Sequence, residues 1–262
     1  MTAVNDLTSP DNLAYLLNYD SVHGGSRERV DESNGKLAVG GVEIPLYSEK
    51  DPANLPWKDL GIDLVFECTG VFRTSEGLQK HLDAGARWAI LSAPAKDDQV
   101  SMVVHGVNQA EAEARMISCA NCITPVVEVM DRRIGIKKAL MTTVHADTSS
   151  QAIVDGPRNT WRRGGAVALS FVPTSTGAAK ATAKVLPNLE GRFDGIAVRG
   201  PVPVGSLADM VFLTKRDTSV EEINDAFRSE AQDSRYAGIL GSPKSRSFRR
   251  TSSMIRGHPS WT

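Results

Sequence analysis

The chain has 262 residues, of which 41% are hydrophobic and 23% are charged, the proportions of an ordinary soluble globular protein with one or two domains. A formal net charge of -1 gives no electrostatic basis for binding nucleic acid or an anionic membrane, and no apolar run approaches the ~20 residues that span a bilayer. The three cysteines are too few for a disulfide framework and the N-terminus carries no signal-peptide pattern, so we expect a cytoplasmic protein.

The first part of the chain alternates predicted strands with predicted helices. In chain order these are a strand ending at Asn5, a helix beginning at Ser9-Pro10, a hairpin of 37–39 and 42–45, a strand over 63–68, a helix over 74–82, and strands over 88–91 and 101–104. Strands that alternate with helices favour a parallel sheet with helices on both faces. We therefore predict an α/β, doubly wound domain of the Rossmann type over residues 1–118.

The pattern changes after Cys122. The predicted elements there are strands over 140–145, 196–199 and 209–214 and helices over 176–184 and 219–231, with a long loop over 155–173. Long strands with fewer helices favour an α+β domain, which we place at residues 119–241. One continuous α/β domain remains the alternative.

The segment that joins the two parts reads S-C-A-N-C-I-T-P from Ser118 to Pro125, between a predicted strand end and a predicted helix. A thiol at such a junction lies near the helix N-terminus, which favours the thiolate form that a nucleophilic cysteine needs. Cys119 and Cys122 are also compatible with a redox pair or half a zinc site. The further ligands that zinc requires are not visible at motif spacing, so we predict no metal.

This segment resembles the active-site motif of the glyceraldehyde-3-phosphate dehydrogenase family, S-C-A-S-C-T-T-N-C-I-T-P, with the central S-C-T-T removed. In the family the removed cysteine is the nucleophile. Cys122 then corresponds to a second, non-catalytic cysteine, and we expect it to be at most a surrogate nucleophile. The resemblance extends over residues 2–241 and implies oxidative phosphorylation of glyceraldehyde 3-phosphate with NAD, by a homotetramer.

His145 follows a predicted strand, in the stretch H-A-D-T-S-S-Q. A histidine at a strand end is by itself more often structural than catalytic. The stretch resembles H-A-Y-T-S-S-Q of the family, in which the imidazole pairs with the thiolate and acts as acid and base in hydride transfer. The family tyrosine is Asp147 here, so a carboxylate joins the neighbourhood of His145.

A set of short hydroxyls, a glycine at a helix start and an arginine suits phosphate binding: Thr148, Thr176, Gly177 and Arg199. Alone, T-G-A-A is a routine helix start. Together, P-T-S-T-G-A-A-K-A and A-V-R-G-P-V-P-V-G-S resemble the family closely. The resemblance implies that Thr148 and Arg199 bind the C3 phosphate and that Thr176-Gly177 lies near the inorganic phosphate. Arg162-Arg163 match the family's R-R-x-R loop, whose last arginine is Gly165 here.

The predicted cofactor-binding residues each follow a predicted strand and are Asp6, Thr69, Gly70 and Ser92. A carboxylate such as Asp6 suits the ribose hydroxyls and repels a 2′-phosphate, which favours NAD over NADP. The stretches V-N-D-L-T, C-T-G-V-F and S-A-P-A-K resemble the family at these positions. The G-x-G-x-x-G phosphate loop expected ~20 residues before Asp6 is not found. We therefore expect the first strand and the pyrophosphate-binding helix to be missing and NAD binding to be weak.

Residues 242–262 are rich in serine and arginine and contain no acidic residue, which is typical of a disordered basic tail. Codons permitted for residues 245–262, read one base out of step, can spell a continuation like that of the family, so we infer a frameshift after Gly241. The chain is thus predicted to be truncated at both ends and inactive as a dehydrogenase. The alternatives are a non-enzymatic remnant that binds phosphate or a subunit, and the product of a degraded gene without a stable fold.

Overall fold

The computed structural model describes residues 1–22, 24–119 and 121–241, and the chain divides into two compact units. The first unit contains residues 1–102 and 110–120, and the second contains residues 103–109 and the chain from Asn121 onward. The predicted boundary places 103–109 in the first domain, whereas Val107 packs in a cluster with Tyr236 and Leu240 of the second unit. The predicted frameshift and tail lie outside the described residues.

The first unit contains eight strands and two helices among its described residues. They are β1 (Val4–Asn5), α1 (Pro10–Asn18), β2 (Val30–Ser33), β3 (Lys36–Val39), β4 (Val42–Tyr47), β5 (Leu64–Glu67), α2 (Ser75–Asp83), β6 (Trp88–Leu91), β7 (Ser101–Met102) and β8 (Met116–Ser118). The strands form two four-stranded sheets, in the orders β1-β4-β3-β2 and β5-β6-β8-β7. The predicted hairpin is confirmed as β3 and β4.

The second of these sheets is parallel throughout, as the alternating pattern predicts. Its strands are short and apolar, and α2 covers one face by packing Leu78 and Leu82 against Ala89 and Leu91. The N-terminus of α2 is capped by Thr74, whose hydroxyl accepts a hydrogen bond from the N–H of Gly77 at 3.2 Å. Parallel strands bring the residues that follow β5, β6 and β8 to one edge of the sheet.

The two sheets of the first unit share a core without pairing to one another. In the doubly wound strand order 3-2-1-4-5-6, the second and fourth strands flank the first strand. Here β1 pairs in parallel with β4, and β5 pairs in parallel with β6. Ala3 beside β1 and Val65 of β5 pack against the same buried cluster around Trp57. Within the described residues, no strand pairs with the outer edge of either β1 or β5.

The second unit has a mixed sheet with helices on one face, as expected for an α+β domain. Its main elements are α3 (Thr124–Arg133), β9 (Ile136–His145), β10 (Val172–Ser175), α4 (Ala178–Val185), β11 (Phe193–Arg199), β12 (Ser206–Thr214) and α5 (Val220–Glu230). The sheet order is β10-β11-β9-β12, in which β11 runs parallel to β9 and the outer strands run antiparallel to their neighbours. Strand β10 lies in a stretch that the sequence predicts to be mostly loop.

The core of this unit lies between the sheet and the helices α3 and α4. Val127 of α3, Met141 of β9, Ala179 of α4 and Phe193 of β11 belong to one buried cluster. The opposite face of the sheet carries exposed apolar side chains, which include Leu140, Ile196, Val211 and Leu213. No helix in the described part of the chain is long and apolar enough to cross a bilayer.

Candidate active site

The segment before α3 is held against the first turn of α4 by Asn121. The side-chain Nδ2 of Asn121 donates to the carbonyl oxygen of Ala178 at 3.2 Å and to the hydroxyl of Thr182 at 2.9 Å. Its Oδ1 accepts a hydrogen bond from the N–H of Ile123 at 3.0 Å. That bond satisfies one of the free N–H groups at the start of α3. Cys122 therefore sits on a chain segment anchored from both neighbouring residues.

A second hydrogen bond fixes α3 to α4. The hydroxyls of Thr124 and Thr182 lie 2.9 Å apart, and both residues have no exposed surface. Because the Thr182 hydroxyl also contacts Asn121, one buried group links the helix start to the cysteine segment. Buried polar networks that are fully satisfied rigidify the structure around them.

The three cysteines, Cys68, Cys119 and Cys122, are unpaired and exposed. Although Cys119 as a whole is exposed, partial burial of its thiol raises the pKa. The expected stabilisation of a thiolate by the helix N-terminus therefore does not extend to Cys119. Among the described residues, no hydrogen bond joins Cys122 to His145.

His145 is the last residue of β9 and lies between Arg199 on β11 and Ser206 on β12 in the sheet register. The ring nitrogen Nδ1 is 2.9 Å from the backbone oxygen of Ala146. A carbonyl oxygen only accepts, so Nδ1 carries the hydrogen and Nε2 is the ring atom left to accept a proton. The described residues contain no ion pair between Asp147 and His145.

Arg199 and Thr148 are brought together as predicted. The Nη1 atom of Arg199 donates to the hydroxyl of Thr148 at 2.6 Å, to the hydroxyl of Ser150 at 2.8 Å and to Oε1 of Gln151 at 3.4 Å. Gln151 Oε1 also accepts the N–H of Thr148 at 3.1 Å. These bonds hold the guanidinium at the carboxyl end of β11 without neutralising its charge.

A second arginine adds positive charge to this place. Burial lowers the pKa of Arg199, and repulsion from Arg163 lowers it further. Arg163 donates from Nη2 to the hydroxyl of Thr174 at 2.6 Å, while its Nε and the Nε2 of Gln151 are buried without a hydrogen-bond partner. In the described part of the chain, no carboxylate lies within ion-pair distance of either arginine. Two neighbouring cations without a carboxylate partner make this a place for an anion.

Thr176 and Gly177 form the start of α4, as predicted. The Thr176 hydroxyl accepts the N–H of Ala178 at 3.1 Å, and Gly177 is the exposed N-cap residue. No hydrogen bond joins these two residues to Arg199 within the described residues. Strand β10 leads directly from Thr174, which contacts Arg163, to Thr176. Strand β10, which leads to Thr176, pairs with β11, which ends at Arg199.

The predicted cofactor residues are divided between the two sheets of the first unit. Asp6 follows β1, and its Oδ1 accepts the N–H of Thr8 at 2.8 Å. Thr69 and Gly70 follow β5, and Ser92 follows β6, where its N–H donates to the carbonyl of Glu67 at 3.0 Å. Their chemistry fits NAD: Asp6 would hold the ribose, and the loops at Gly70 and Ser92 would contact the cofactor at the sheet edge.

A cradle for the pyrophosphate is not formed by the described residues. Such a cradle needs a glycine-rich turn at a helix N-terminus. The helices of the first unit begin instead at Ser9-Pro10 and Thr74-Ser75. The expectation of weak NAD binding therefore stays a prediction.

Sequence reasoning missed several members of the site. Ser150 and Gln151 stand in the same S-S-Q stretch as Thr148, but nothing in the pattern shows that they contact Arg199. The sequence identifies Arg163 only by its resemblance to the family's R-R-x-R loop, and Asn121 only as part of the cysteine motif. Each contact depends on how a loop folds back over a strand end, which local patterns do not encode.

Comparisons with known proteins agree with this geometry. Residues 1–75 match the NAD binding domain of glyceraldehyde 3-phosphate dehydrogenase, and residues 118–250 match its C-terminal domain. The second match runs past Gly241, where the predicted resemblance ends, and the frameshift stays a prediction.

The chain is also similar to complete curated proteins over most of its length. It is 44% identical to a glyceraldehyde-3-phosphate dehydrogenase of Streptomyces coelicolor, over 92% of this chain and 73% of the relative. It is 46% identical to glyceraldehyde-3-phosphate dehydrogenase 1 of a Nostoc species, over 91% of this chain and 72% of the relative. It is 45% identical to a glyceraldehyde-3-phosphate dehydrogenase of Borreliella burgdorferi, over 92% of this chain and 75% of the relative. The chain therefore belongs to the glyceraldehyde-3-phosphate dehydrogenase family, whose cofactor is NAD.

Proposed function

We propose that this chain binds phosphorylated three-carbon ligands as its family does, and that it does not carry out the family's dehydrogenation. The binding proposal rests on the site formed by Arg199 and Arg163. Arg199 is held by Thr148 and Ser150, Arg163 lies close by, and no carboxylate in the described residues compensates their charge. A phosphate dianion placed there relieves the repulsion between the two guanidinium groups.

The available donors match the needs of such an anion. The three hydrogen bonds of Arg199 all come from Nη1, so its other N–H groups remain free of protein acceptors in the described structure. The Nε of Arg163 and the Nε2 of Gln151 are buried donors without partners. Because these two atoms have essentially no accessible surface, the N–H groups of the half-buried Arg199 are the donors that a ligand can reach directly.

The second half of the proposal follows from the thiol segment. The family reaction begins when a thiolate adds to the aldehyde carbon, and NAD, when bound, supplies the acceptor for the hydride. The S-C-T-T that contains the family nucleophile is absent from this sequence. Cys122 is anchored beside Asn121 and makes no hydrogen bond to His145, so the base and the remaining thiol are not paired.

His145 keeps the form of an acid–base group. Its Nδ1–H is bonded to Ala146, and its Nε2 can exchange a proton with a ligand held beside Arg199. Oxidation of the aldehyde in this family also requires a thiol bound covalently to the substrate, and proton transfer by His145 alone does not replace that bond. The site therefore supports binding and orientation of the substrate, and not its oxidation.

Calorimetric titration tests the binding proposal. We expect glycerol 3-phosphate to bind and glycerol not to bind, because the phosphate supplies the recognised charge. Arg199→Ala should weaken binding about 10-fold or more, since a charge-assisted contact contributes about 1.5–3 kcal/mol. Arg192→Ala is the matched control, because Arg192 is an exposed arginine of the same unit before β11. Equal binding by wild type and Arg199→Ala would show that the site does not form.

We further infer that the chain self-associates through the exposed face of its mixed sheet. Leu140 is 64% exposed, Ile196 61%, Val211 66% and Leu213 57%, and these apolar side chains lie on three neighbouring strands. The family resemblance implies a homotetramer in the cytoplasm. Sedimentation should show a dimer or larger species that Val211→Asp dissociates. Val220→Asp, on α5 and equally exposed, should not; a monomeric wild type would refute the inference.

A further inference from the structure

A buried line of polar side chains runs beneath the loop that contains Thr69 and Gly70. Glu67 is 3% exposed, His81 4% and Trp57 5%. The indole N–H of Trp57 donates to Nδ1 of His81 at 3.2 Å, and Nε2 of His81 lies 3.1 Å from Oε2 of Glu67. Every polar side-chain atom in this line therefore has a partner.

The direction of these hydrogen bonds is set by Trp57. An indole N–H can only donate, so Nδ1 of His81 must accept and Nε2 must carry the proton. His81 is thus neutral in this arrangement and donates to Glu67. The other tautomer of His81 would place two N–H groups against each other at Trp57 and would leave Glu67 without its donor.

Other charged groups near His81 are engaged elsewhere. Lys80, the preceding residue of α2, pairs with Asp51 at 3.1 Å. The ring of Phe72 meets the His81 ring edge-on, with centroids 6.4 Å apart. Within the described residues, Glu67 is the single carboxylate paired with His81.

Glu67 holds the loop at the other end of the line. Its Oε1 accepts the N–H of Thr69 at 2.8 Å and also the Thr69 hydroxyl. That hydroxyl in turn accepts the N–H of Val71 at 3.1 Å. Burial raises the pKa of Glu67, but the hydrogen bonds from His81 and Thr69 outweigh burial and bring the pKa below its usual value.

The exposed surface of the loop at Gly70 is backbone, between the exposed residues Cys68 and Val71. The side chain of Thr69 is occupied by Glu67 and Val71, whereas Gly70 is exposed with a φ of +75°, a conformation that glycine adopts most easily. A residue with a side chain at this position would be strained, and the loop geometry would shift. The position of the Gly70 backbone therefore depends on the hydrogen bonds that hold Thr69 to Glu67.

We propose that Glu67, oriented by His81 and Trp57, is a positioning residue for the loop of Thr69 and Gly70. In this arrangement Thr69 shapes the loop and Gly70 supplies the backbone that faces the cofactor. The inference rests on the assignment of this loop to NAD, and its test does not require NAD to be bound.

Glu67→Gln is the direct test. Both carboxylate oxygens accept hydrogen bonds, whereas an amide has one acceptor oxygen, so the variant must lose either Thr69 or His81. We expect the amide hydrogen of Thr69 to exchange about 10-fold faster or more, as expected for loss of a hydrogen bond to a charged group. The amides of β6 should keep their wild-type rates. Glu76→Gln, an exposed glutamate on α2, is the matched control.

Trp57→Phe tests the remote end of the line. An aromatic ring is kept but the indole N–H is lost, so the nitrogen-15 resonance of His81 Nδ1 should shift as that nitrogen loses its donor, while Glu67 keeps the proton on Nε2. Thr69 exchange should rise as well, and Trp88→Phe should change neither property. Unchanged Thr69 exchange in both variants, or an equal rise at Thr69 and throughout β6, would overturn the proposal. If Thr69 responds while a large excess of NAD shifts the amide resonances of neither Thr69 nor Gly70, the positioning role stands and the cofactor assignment fails.

Discussion

The contacts of Asn121 give a quantitative test of how the shortened cysteine segment is held. Asn121→Ala removes the bonds to Ala178 and Thr182 and the bond that Ile123 donates to the side chain. Each neutral hydrogen bond contributes about 1 kcal/mol to the free energy of unfolding. A side chain that accepts a hydrogen bond from a free N–H at a helix start contributes about 1 kcal/mol as well. Because the site is half-buried and partly accessible to water, we expect a loss of about 2–3 kcal/mol. For a chain of this size, that lowers the melting temperature by roughly 5–10 °C.

A double-mutant cycle with Thr182→Val assigns this loss to the contact itself. The two side chains share one hydrogen bond, so the double variant should lose about 1 kcal/mol less than the sum of the single variants. Asn188→Ala is the control, because Asn188 is exposed and bonds only to Asp131 at 2.6 Å; its effect should stay within about 0.5 kcal/mol. If Asn121→Ala unfolds like the control, or if the two substitutions are additive, the segment is not anchored as described.

Three further predictions concern reactivity, cofactor and pH. Iodoacetamide should alkylate Cys122 at about the rate of free cysteine at pH ~7, and His145→Ala should leave that rate unchanged; a fast reaction that needs His145 would contradict the proposed function. Calorimetry should detect no micromolar binding of NAD, because the described residues form no glycine-rich cradle for its pyrophosphate; a micromolar dissociation constant would refute this. Hydrogen bonds from Arg216 hold the pKa of Glu222 at about 2, below its usual 4.5, so its contribution to stability is present above pH 4.5 and disappears as the pH falls to about 2. Glu222→Gln should therefore melt earlier than wild type at neutral pH, by a margin that narrows in acid; a constant margin would exclude this origin.

Local signals in the sequence predicted most of the elements. The strand over 88–91 is found where predicted, and Ser219 caps α5 by accepting the N–H of Glu222 at 3.1 Å. The helix cap is formed by residues three positions apart, and the strand is marked by a short apolar run in the sequence. Ser9, which has the same cap signature with Pro10, makes no side-chain cap bond, because a signature permits a hydrogen bond without requiring it.

Features that depend on distant residues were not predicted. Strand β10 forms by pairing with β11, and Val172 lies opposite Arg199, which follows helix α4 in the sequence. The residues 155–173 contain no local signal that identifies this distant partner. The separation of β1 from β5 is likewise a property of the whole sheet order. Long-range pairing of this kind decides whether an apolar stretch becomes a strand or remains a loop.

The candidate site shows the same division. Thr148 and Arg199 were identified by the resemblance to a family, and the structure joins them through a bond of 2.6 Å. The loss of the family nucleophile stays a prediction from the sequence. The second arginine, Arg163, and the unsatisfied amide of Gln151 emerged only from the geometry, because their role depends on burial and on the absence of a nearby carboxylate.

Mass spectrometry of the intact chain tests the central claim most directly. The protein would be incubated with glyceraldehyde 3-phosphate and NAD without inorganic phosphate, so that any acyl-enzyme accumulates, and then quenched in acid. We predict no acyl group on Cys119 or Cys122, because the thiol that forms it in the family is missing and Cys122 is not paired with His145. One acyl group per chain that Cys122→Ser abolishes would contradict the account and show that Cys122 has taken over as the nucleophile.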